Sequence, residues 1–344
     1  EIFGLPLILG DPEGHLVLTT YLYKLTNKLG TPSYHLMAAV ATCIIAVTFP
    51  LVLLQRVLLK SAQRFVAMKG KSARQRPLAL GPWKWLALAL ILAWLFFSVV
   101  VPVVGIALRS VVSSWGQGIN LLDVLTLDHF RAVFDESTMI RAIVNSLLIG
   151  TLGGALAVGG YLAIGLATHR KNDAISRFVD YIVLTPRAVP GLMAGLAVFW
   201  VFLFVPFLTP LRSTLFSVWF AYAIVWLAYG MRLIQSALMQ VGPELEEAGR
   251  LVGASNARVS RDITVPLIRN GLLGAWLLVF MIFEREYSTG VYLLSPGTEV
   301  IGAQIVSLWA SGAVDVVAAL SLINMALVGV GLAVALRFGV KLHD

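Results

Sequence analysis

Three groups of residues in this chain have the types and spacing from which chemistry could come. Gly70-Lys71-Ser72 matches the end of a phosphate-cradling loop, where backbone N–H groups and a lysine hold a nucleotide. Such a loop needs a glycine five residues before Gly70, and that position is Phe65. No strand pattern precedes it, so the tripeptide reads as part of a solvated basic linker and no ATP binding by this chain is expected. Gly253-Ala254-Ser255 has the look of a serine nucleophile, but a nucleophile needs a base within hydrogen-bond reach. The one histidine beside an apolar span, His35, is expected at the opposite membrane face, and no His-Glu-x-x-His zinc pair occurs. The third group is polar residues in or beside apolar runs: Asn145, Arg187, Glu284, Arg285 and Glu286. Charge at membrane depth is a functional candidate by default. Glu284 or Glu286 could face a translocation pathway or pair with Arg285. Arg187, between Pro186 and Pro190 in a segment expected to be broken from regular helix, could shape a gate or anchor lipid headgroups. None of these sets makes an enzyme, and no metal site or bound cofactor is expected.

The elements that must position these residues follow from composition. Of 344 residues, 58% are hydrophobic and 13% charged, with a mean hydropathy of +0.86. A soluble domain carries roughly 45–50% apolar and about 25% charged residues. Half the usual charge cannot cover a water-soluble surface of this size, so the chain is a membrane protein. The single cysteine, Cys43, sits in an apolar run and leaves no intrachain disulfide or Cys-based metal cluster.

A helix needs ~20 mostly apolar residues to cross a bilayer. Seven stretches qualify, near 35–59, 84–108, 140–167, 179–206, 213–238, 267–294 and 314–337. The fold class expected is all-α, a polytopic transmembrane bundle. Lys60, Arg64, Lys69, Lys71, Arg74, Arg76 and Lys84 make 60–84 basic, and Arg170, Lys171 and Arg177 make 168–178 basic. Asp123, Asp128, Asp135 and Glu136 dominate 110–138. Positive loops stay in the cytoplasm, which puts 60–84, 168–178, 239–266 and the C-terminus inside. The net charge of +8 is accounted for by these loops, so no nucleic-acid partner is implied. Leu121, Leu122, Val124, Leu125, Leu127, Phe130 and Val133 predict an amphipathic helix in 115–138, lying on the outer interface.

Two regions share a plan. Glu1 to Leu59 and Glu286 to Arg337 each run from an acid through an apolar stretch and a turn, Asp11-Pro12-Glu13-Gly14 or Ser295-Pro296-Gly297, to a helical stretch and a span. Repeats are common in transporters. Residues 1–60 are therefore expected to be the tail of a first copy, 61–83 a basic cytoplasmic linker, and 84–344 a complete second copy with six spans. The opening Glu1-Ile2-Phe3 fits the back portion of a longer polypeptide.

Between two spans, Gly242-Pro243-Glu244-Leu245-Glu246-Glu247-Ala248-Gly249-Arg250-Leu251-Val252-Gly253 leads into Ala254-Ser255 and on to Ile263-Thr264-Val265-Pro266. This spacing predicts a helical hairpin over 240–266. Pro243 suits a first helical position, where its missing N–H costs nothing. Glu244, Glu246 and Glu247 sit at the positive end of the helix dipole. Gly253 suits the left-handed residue that closes a helix, Ser255 a cap for the next, and Pro266 its end. Leu245, Ala248, Leu251 and Val252 form one apolar stripe, suited to docking on a partner.

Glu247-Ala248-Gly249, three residues, Gly253, nine residues, Ile263, one residue and Val265-Pro266 resembles the EAA motif of ABC importer permeases. Gly249 replaces the second alanine of that motif and Val265 its leucine. The tandem plan and the linker ending Gly81-Pro82-Trp83-Lys84-Trp85 are similar to fused permeases of the ferric-iron group, with thiamine and phosphonate permeases close in pattern. The resemblance implies a coupling loop that seats in a separate ATPase, with Glu247, Ala248 and Gly253 as docking residues and Glu244, Gly249, Ile263 and Pro266 within the same motif region. It further implies two ATPase subunits on the cytoplasmic side, a periplasmic solute-binding protein, the bacterial inner membrane as location, and ATP used by the partner alone. The rival expectation is a secondary transporter driven by an ion gradient, which would carry paired intramembrane carboxylates and need no docking loop. A channel is the third.

Overall fold

The computed structural model describes residues 3–27, 33–62, 80–116, 118–171 and 173–337. Among these there is no strand; an isolated bridge joins Val112 to Leu125. In chain order the helices are α1 (Leu18–Asn27), α2 (Tyr34–Ala62), α3 (Trp83–Ser110), α4 (Asp128–Asp135), α5 (Ser137–Thr168), α6 (Ala174–Leu184), α7 (Gly191–Phe204), α8 (Leu215–Val225), α9 (Leu227–Leu238), α10 (Pro243–Leu251), α11 (Asn256–Leu267), α12 (Arg269–Arg285), α13 (Ile301–Ala310) and α14 (Val314–Arg337). Most of the linker expected at 61–83 lies outside the described residues.

Helices α2, α3, α5 and α14 are long and apolar enough to span alone. Two bent pairs, α8 with α9 at 61° and α11 with α12 at 72°, are long and apolar enough only when their helices are taken together. The span expected at 179–206 is not one helix. It stops at Leu184, turns through a 3-10 segment at Thr185–Ala188, and restarts at Gly191. Pro186 and Pro190 cause the break, because each lacks an N–H and restricts the residue before it. The span expected at 267–294 also ends early: Arg285 is its last helical residue, and Glu286 opens a non-helical loop to Val300.

The amphipathic helix expected in 115–138 shrinks to the eight residues of α4. Gly118 adopts a left-handed backbone and Asn120 donates its side-chain amide to Asp123, so residues 118–126 turn back toward 111–113 instead of coiling. Ser113 N–H then bonds the Val124 carbonyl at 2.9 Å and Thr126 N–H the Val111 carbonyl at 2.8 Å. Of the predicted apolar face, Val133 is fully buried, against a cluster that includes Ile301, Ala319 and Leu320, while Leu122 and Leu127 stay exposed.

Bends inside spans free backbone carbonyls, which must find donors at membrane depth. A wide-turn segment at Ile149–Gly153 within α5 does so with two indoles. Trp219 Nε1 donates to the Gly153 carbonyl at 2.7 Å and Trp276 Nε1 to that of Thr151 at 3.0 Å. At the α8–α9 bend, the Tyr161 hydroxyl donates to the Ala223 carbonyl at 2.6 Å. The main core gathers α5, α7, α8, α9 and α12 around Phe202, Tyr222, Ile234 and Phe283.

The loops sort to two ends. Arg170 donates to the Val241 carbonyl at 2.6 Å, which puts the end of α5 and the 239–242 loop together, as the charge pattern predicts. At the other end Arg109 pairs with Asp315, and Arg141 reaches Glu299 at 3.5 Å. At the former end Asp173 caps α6, and its hydrogen bonds from Ser176 hold its carboxyl below the usual carboxylate range. Residues from 3–27 and 33–44 form a second packing unit: Phe3, Leu22, Leu25 and Met37 bury against Leu192, Met193 and Leu196 of α7. Both regions of the sequence repeat place a short helix before a long one, α1 before α2 and α13 before α14.

Candidate functional site

The hairpin folds as its residues suggest. Pro243 stands at the first position of α10, with Glu244 and Glu246 in its first turn. Helix α10 closes with the double bond pattern that a left-handed glycine allows. Ala254 N–H reaches the Gly249 carbonyl at 3.1 Å and Gly253 N–H that of Arg250 at 2.9 Å, with Gly253 at φ +87°. The Ser255 side chain accepts from Arg258 N–H at 3.3 Å and caps α11. Helix α11 runs one residue beyond Pro266 before the 72° turn into α12.

The faces of α10 invert the usual amphipathic rule. Leu251 is 88% exposed and Val252 85%, and Leu245, Glu244, Glu247 and Ala248 are exposed as well. The buried side holds Gly249 and Glu246 instead. A Cβ on Gly249 would stand 2.8 Å from Ile263 Cδ1 and 3.1 Å from Val259 Cγ2, so the two hairpin helices touch only because that side chain is absent. Gly249 and Ile263 thus join the helices to each other, while Glu244, Glu247 and Ala248 face outward.

Glu246 was not among the site residues the sequence suggested, yet it anchors the hairpin. It is 4% exposed and accepts from Thr264 Oγ1 at 3.0 Å. His169 Nε2 lies 3.2 Å from its Oε1, and Arg170 Nη1 3.2 Å from its Oε2. Arg170 reaches it from a left-handed backbone, φ 56°, rare for a non-glycine residue. The carboxylate therefore ties α10 to α11 and to the end of α5 at once. Its spacing, three residues before Gly249 on the face opposite the apolar stripe, is the signal that could have found it.

A second feature lies where three broken elements meet: the Thr185–Pro190 turn, the bend at Trp226 and the loop that starts at Glu286. They enclose a cavity of about 490 Å³, lined by Pro186, Gly191, Trp226, Tyr229, Arg232 and Glu286 among others. Glu286 lies in its wall. Its Oε1 accepts from Ser288 Oγ at 2.8 Å, Thr289 N–H at 3.1 Å and Thr289 Oγ1 at 3.1 Å, and its Oε2 from Trp226 Nε1 at 3.0 Å.

Glu284 points elsewhere. It is buried, and Asn324 of α14 donates to its Oε2 at 3.4 Å. Arg285 is exposed and forms an ion pair with neither glutamate, so the pairing entertained from sequence is not made. The helix ends between them, which turns neighbouring residues in different directions. Arg187 sits in the 3-10 turn beside the cavity; its side chain lies outside the described residues.

Asn145 does not line the cavity. Its amide donates to the carbonyls of Gly297 at 3.0 Å and Glu299 at 2.9 Å, and Ser146 Oγ accepts from Ile301 N–H at 2.9 Å. Asn145→Ala leaves two carbonyls without their donor, at a cost of about 2 kcal/mol. The expected result is faster hydrogen exchange of the 297–301 amides with little change in those of α9.

Residues 156–341, more than half of the chain, match the family described as binding-protein-dependent transport system inner membrane component. The Fe(3+)-transport system permease protein FbpB 2 of Haemophilus influenzae is 27% identical over 161 residues, 47% of this chain and 31% of that protein. The chain thus spans about a third of that relative's length. The spermidine/putrescine transport system permease protein PotC of the same organism is 27% identical over 202 residues, 58% of this chain and 76% of PotC. A putative 2-aminoethylphosphonate transport system permease protein, PhnV of Salmonella paratyphi A, is 24% identical over 66% of this chain and 83% of its own. In fold, the chain matches a bacterial ABC transporter involved in import of the acidic polysaccharide alginate. The TM-score is 0.59, at 18% identity, covering 76% of this chain and 97% of that one. The all-α bundle is therefore the fold of ABC importer permeases, and the chain belongs to the family of inner-membrane components of binding-protein-dependent transport systems.

Proposed function

We propose that the hairpin 243–267 is the lever through which a separate ATPase drives this permease, and that the cavity at the helix breaks is part of the solute path. The observation that carries the first half is the exposed apolar stripe of α10. Leu245, Ala248, Leu251 and Val252 face outward on a hairpin whose inner face is tied to α5 and continues into α12. Large apolar side chains on an exposed ridge mark a contact surface. With Glu247 beside them and Gly253 fixing the turn, this is the EAA-type coupling loop that the sequence pattern suggests. The basic loops support a cytoplasmic position for it and for the C-terminus.

In this reading ATP is bound and hydrolysed by a pair of partner subunits, and a periplasmic binding protein delivers the solute. When the ATPases close, α10 moves. The break at Ile268 and the Glu246 clamp carry that movement to α12 and α5, and the cavity opens to the other side. Residues 1–60 act as the tail of a first permease half, packed on α7 of the second. The named cargoes of the relatives, ferric ion, polyamines and a phosphonate, differ in charge sign; the tandem plan of this sequence resembles the fused permeases of the ferric-iron group.

The test is capture of the ATPase by the purified permease, with ATP-driven uptake in proteoliposomes. Leu251→Asp with Val252→Asp removes the apolar contact of two side chains, each worth about 1.5–3 kcal/mol when buried. Capture should fall by at least tenfold. Glu247→Lys and Gly253→Pro should abolish uptake with the permease still inserted. Retained capture and uptake in these variants would remove the coupling role. Uptake that collapses with a proton or sodium uncoupler while ATP is present would favour an ion-driven carrier.

A further inference from the structure

The solute class can be read from which charges in the cavity wall are already committed. Glu286 is committed: four donors converge on its two oxygens, and three of them fill Oε1. These neutral donors keep the loop 286–289 folded against Trp226 and fill Oε1, while the carboxylate retains its charge.

Arg232 is different. It stands on α9 with an exposed side chain in the cavity wall, and among the described residues no acid pairs with it. Tyr229, one turn before it on the same face, also lines the cavity, and its hydroxyl has no hydrogen-bond partner among the described residues. A guanidinium offers five donors in a planar fork that matches two oxygens of a carboxylate or phosphonate, and no acceptor at all. The third contribution comes from α7, which begins at the cavity with Gly191 in its wall. The first N–H groups of a 14-residue helix carry partial positive charge and suit an anion. Trp226 and Tyr229, edge to face with centroids 6.1 Å apart, supply an apolar flank for the rest of the solute.

Resting on the importer reading above, we propose that the cavity accepts solutes through an oxyanion group, a phosphonate, phosphate or carboxylate, held by Arg232 and Tyr229 at the start of α7. A polyamine would have only the Glu286 carboxylate to engage, and its Oε1 already accepts three hydrogen bonds. A metal ion would pass only within an anionic chelate.

The test is equilibrium binding of radiolabelled methylphosphonate to the full-length protein in nanodiscs of zwitterionic lipid, with radiolabelled spermidine measured in parallel. Wild type should bind methylphosphonate saturably, with phosphate and acetate competing, and more tightly than spermidine. Arg232→Gln should weaken methylphosphonate binding by about tenfold or more, Arg232→Lys should recover part of it, and Tyr229→Phe should weaken it by about threefold. The proposal is overturned if wild type shows no saturable binding, if spermidine binds more tightly, or if both Arg232→Gln and Tyr229→Phe leave the affinity unchanged. ATPase capture by the same nanodiscs reports separately on the importer reading. Capture without oxyanion binding sinks only the solute class, and loss of capture sinks the reading beneath it.

Discussion

Glu246→Ala is expected to loosen the hairpin by about 3 kcal/mol, the low end for breaking a buried charge pair, because Arg170 keeps part of its solvation. The substitution leaves His169 and Arg170 facing each other without the carboxylate that both approach at 3.2 Å, and Thr264 without its acceptor. Limited trypsin digestion at Arg250, Arg258 and Arg261 reads this directly, since cleavage follows the population of the opened segment. The cleavage rate should rise on the order of a hundredfold. The neighbouring Glu247→Ala is the control. Its side chain is exposed and has no partner among the described residues, so digestion should stay near wild type, within about 0.5 kcal/mol, while ATPase capture weakens. Two adjacent glutamates thus separate the integrity of the lever from its grip on a partner. Equal digestion of the two variants would remove the clamp.

The second large effect is expected at Gly195. A Cβ there would lie 1.9 Å from the Thr289 carbonyl oxygen and 2.9 Å from its carbon. Both are backbone atoms, so no rotamer change can relieve the overlap, and α7 must part from the loop after Glu286 by more than 1 Å, on the order of the shortfall from a normal carbon–oxygen contact. Thr289 supplies two of the four donors to Glu286, so the displacement also unlaces the cavity wall. Gly195→Ala should cost about 3 kcal/mol, the upper part of the range for overpacking. It should lower the thermal midpoint of the purified protein and expose the Thr289 amide to exchange. Gly160→Ala, in the same family of apolar helices but with nothing within 4 Å, should be neutral or stabilise by up to about 1 kcal/mol. A wild-type midpoint for Gly195→Ala would show that the contact of α7 with this loop is not the one described.

Some of this molecule is legible without coordinates. Apolar length and scarce charge dictate a membrane bundle. Backbone rules are equally local: Pro243 opens α10, Gly253 closes it and Ser255 caps α11, because each depends on one residue's own φ or side chain. The prolines at 186 and 190 break a span for the same reason. Where the sequence misleads, the deciding contact is distant. The span expected to run to 294 ends at Arg285, because residues 286–300 are held as a loop by Asn145, Ser146, Tyr222 and Trp226, between 60 and 155 residues away in the chain. The helix expected across 115–138 yields to a bridge between Val112 and Leu125.

The chain's own residues, read in order, determine that it spans a membrane, which loops share a side, and that a capped hairpin with an apolar stripe stands between two spans. Those follow from hydropathy, charge and backbone preference, which act within a few residues. Only the tertiary structure decides that Glu246 is buried and Glu247 exposed, that Glu284 and Glu286 face different neighbours, and that among the described residues no acid pairs with Arg232 in the cavity wall. Burial and pairing depend on which segments fold against each other, and one helical step of 100° separates a clamp from a docking residue.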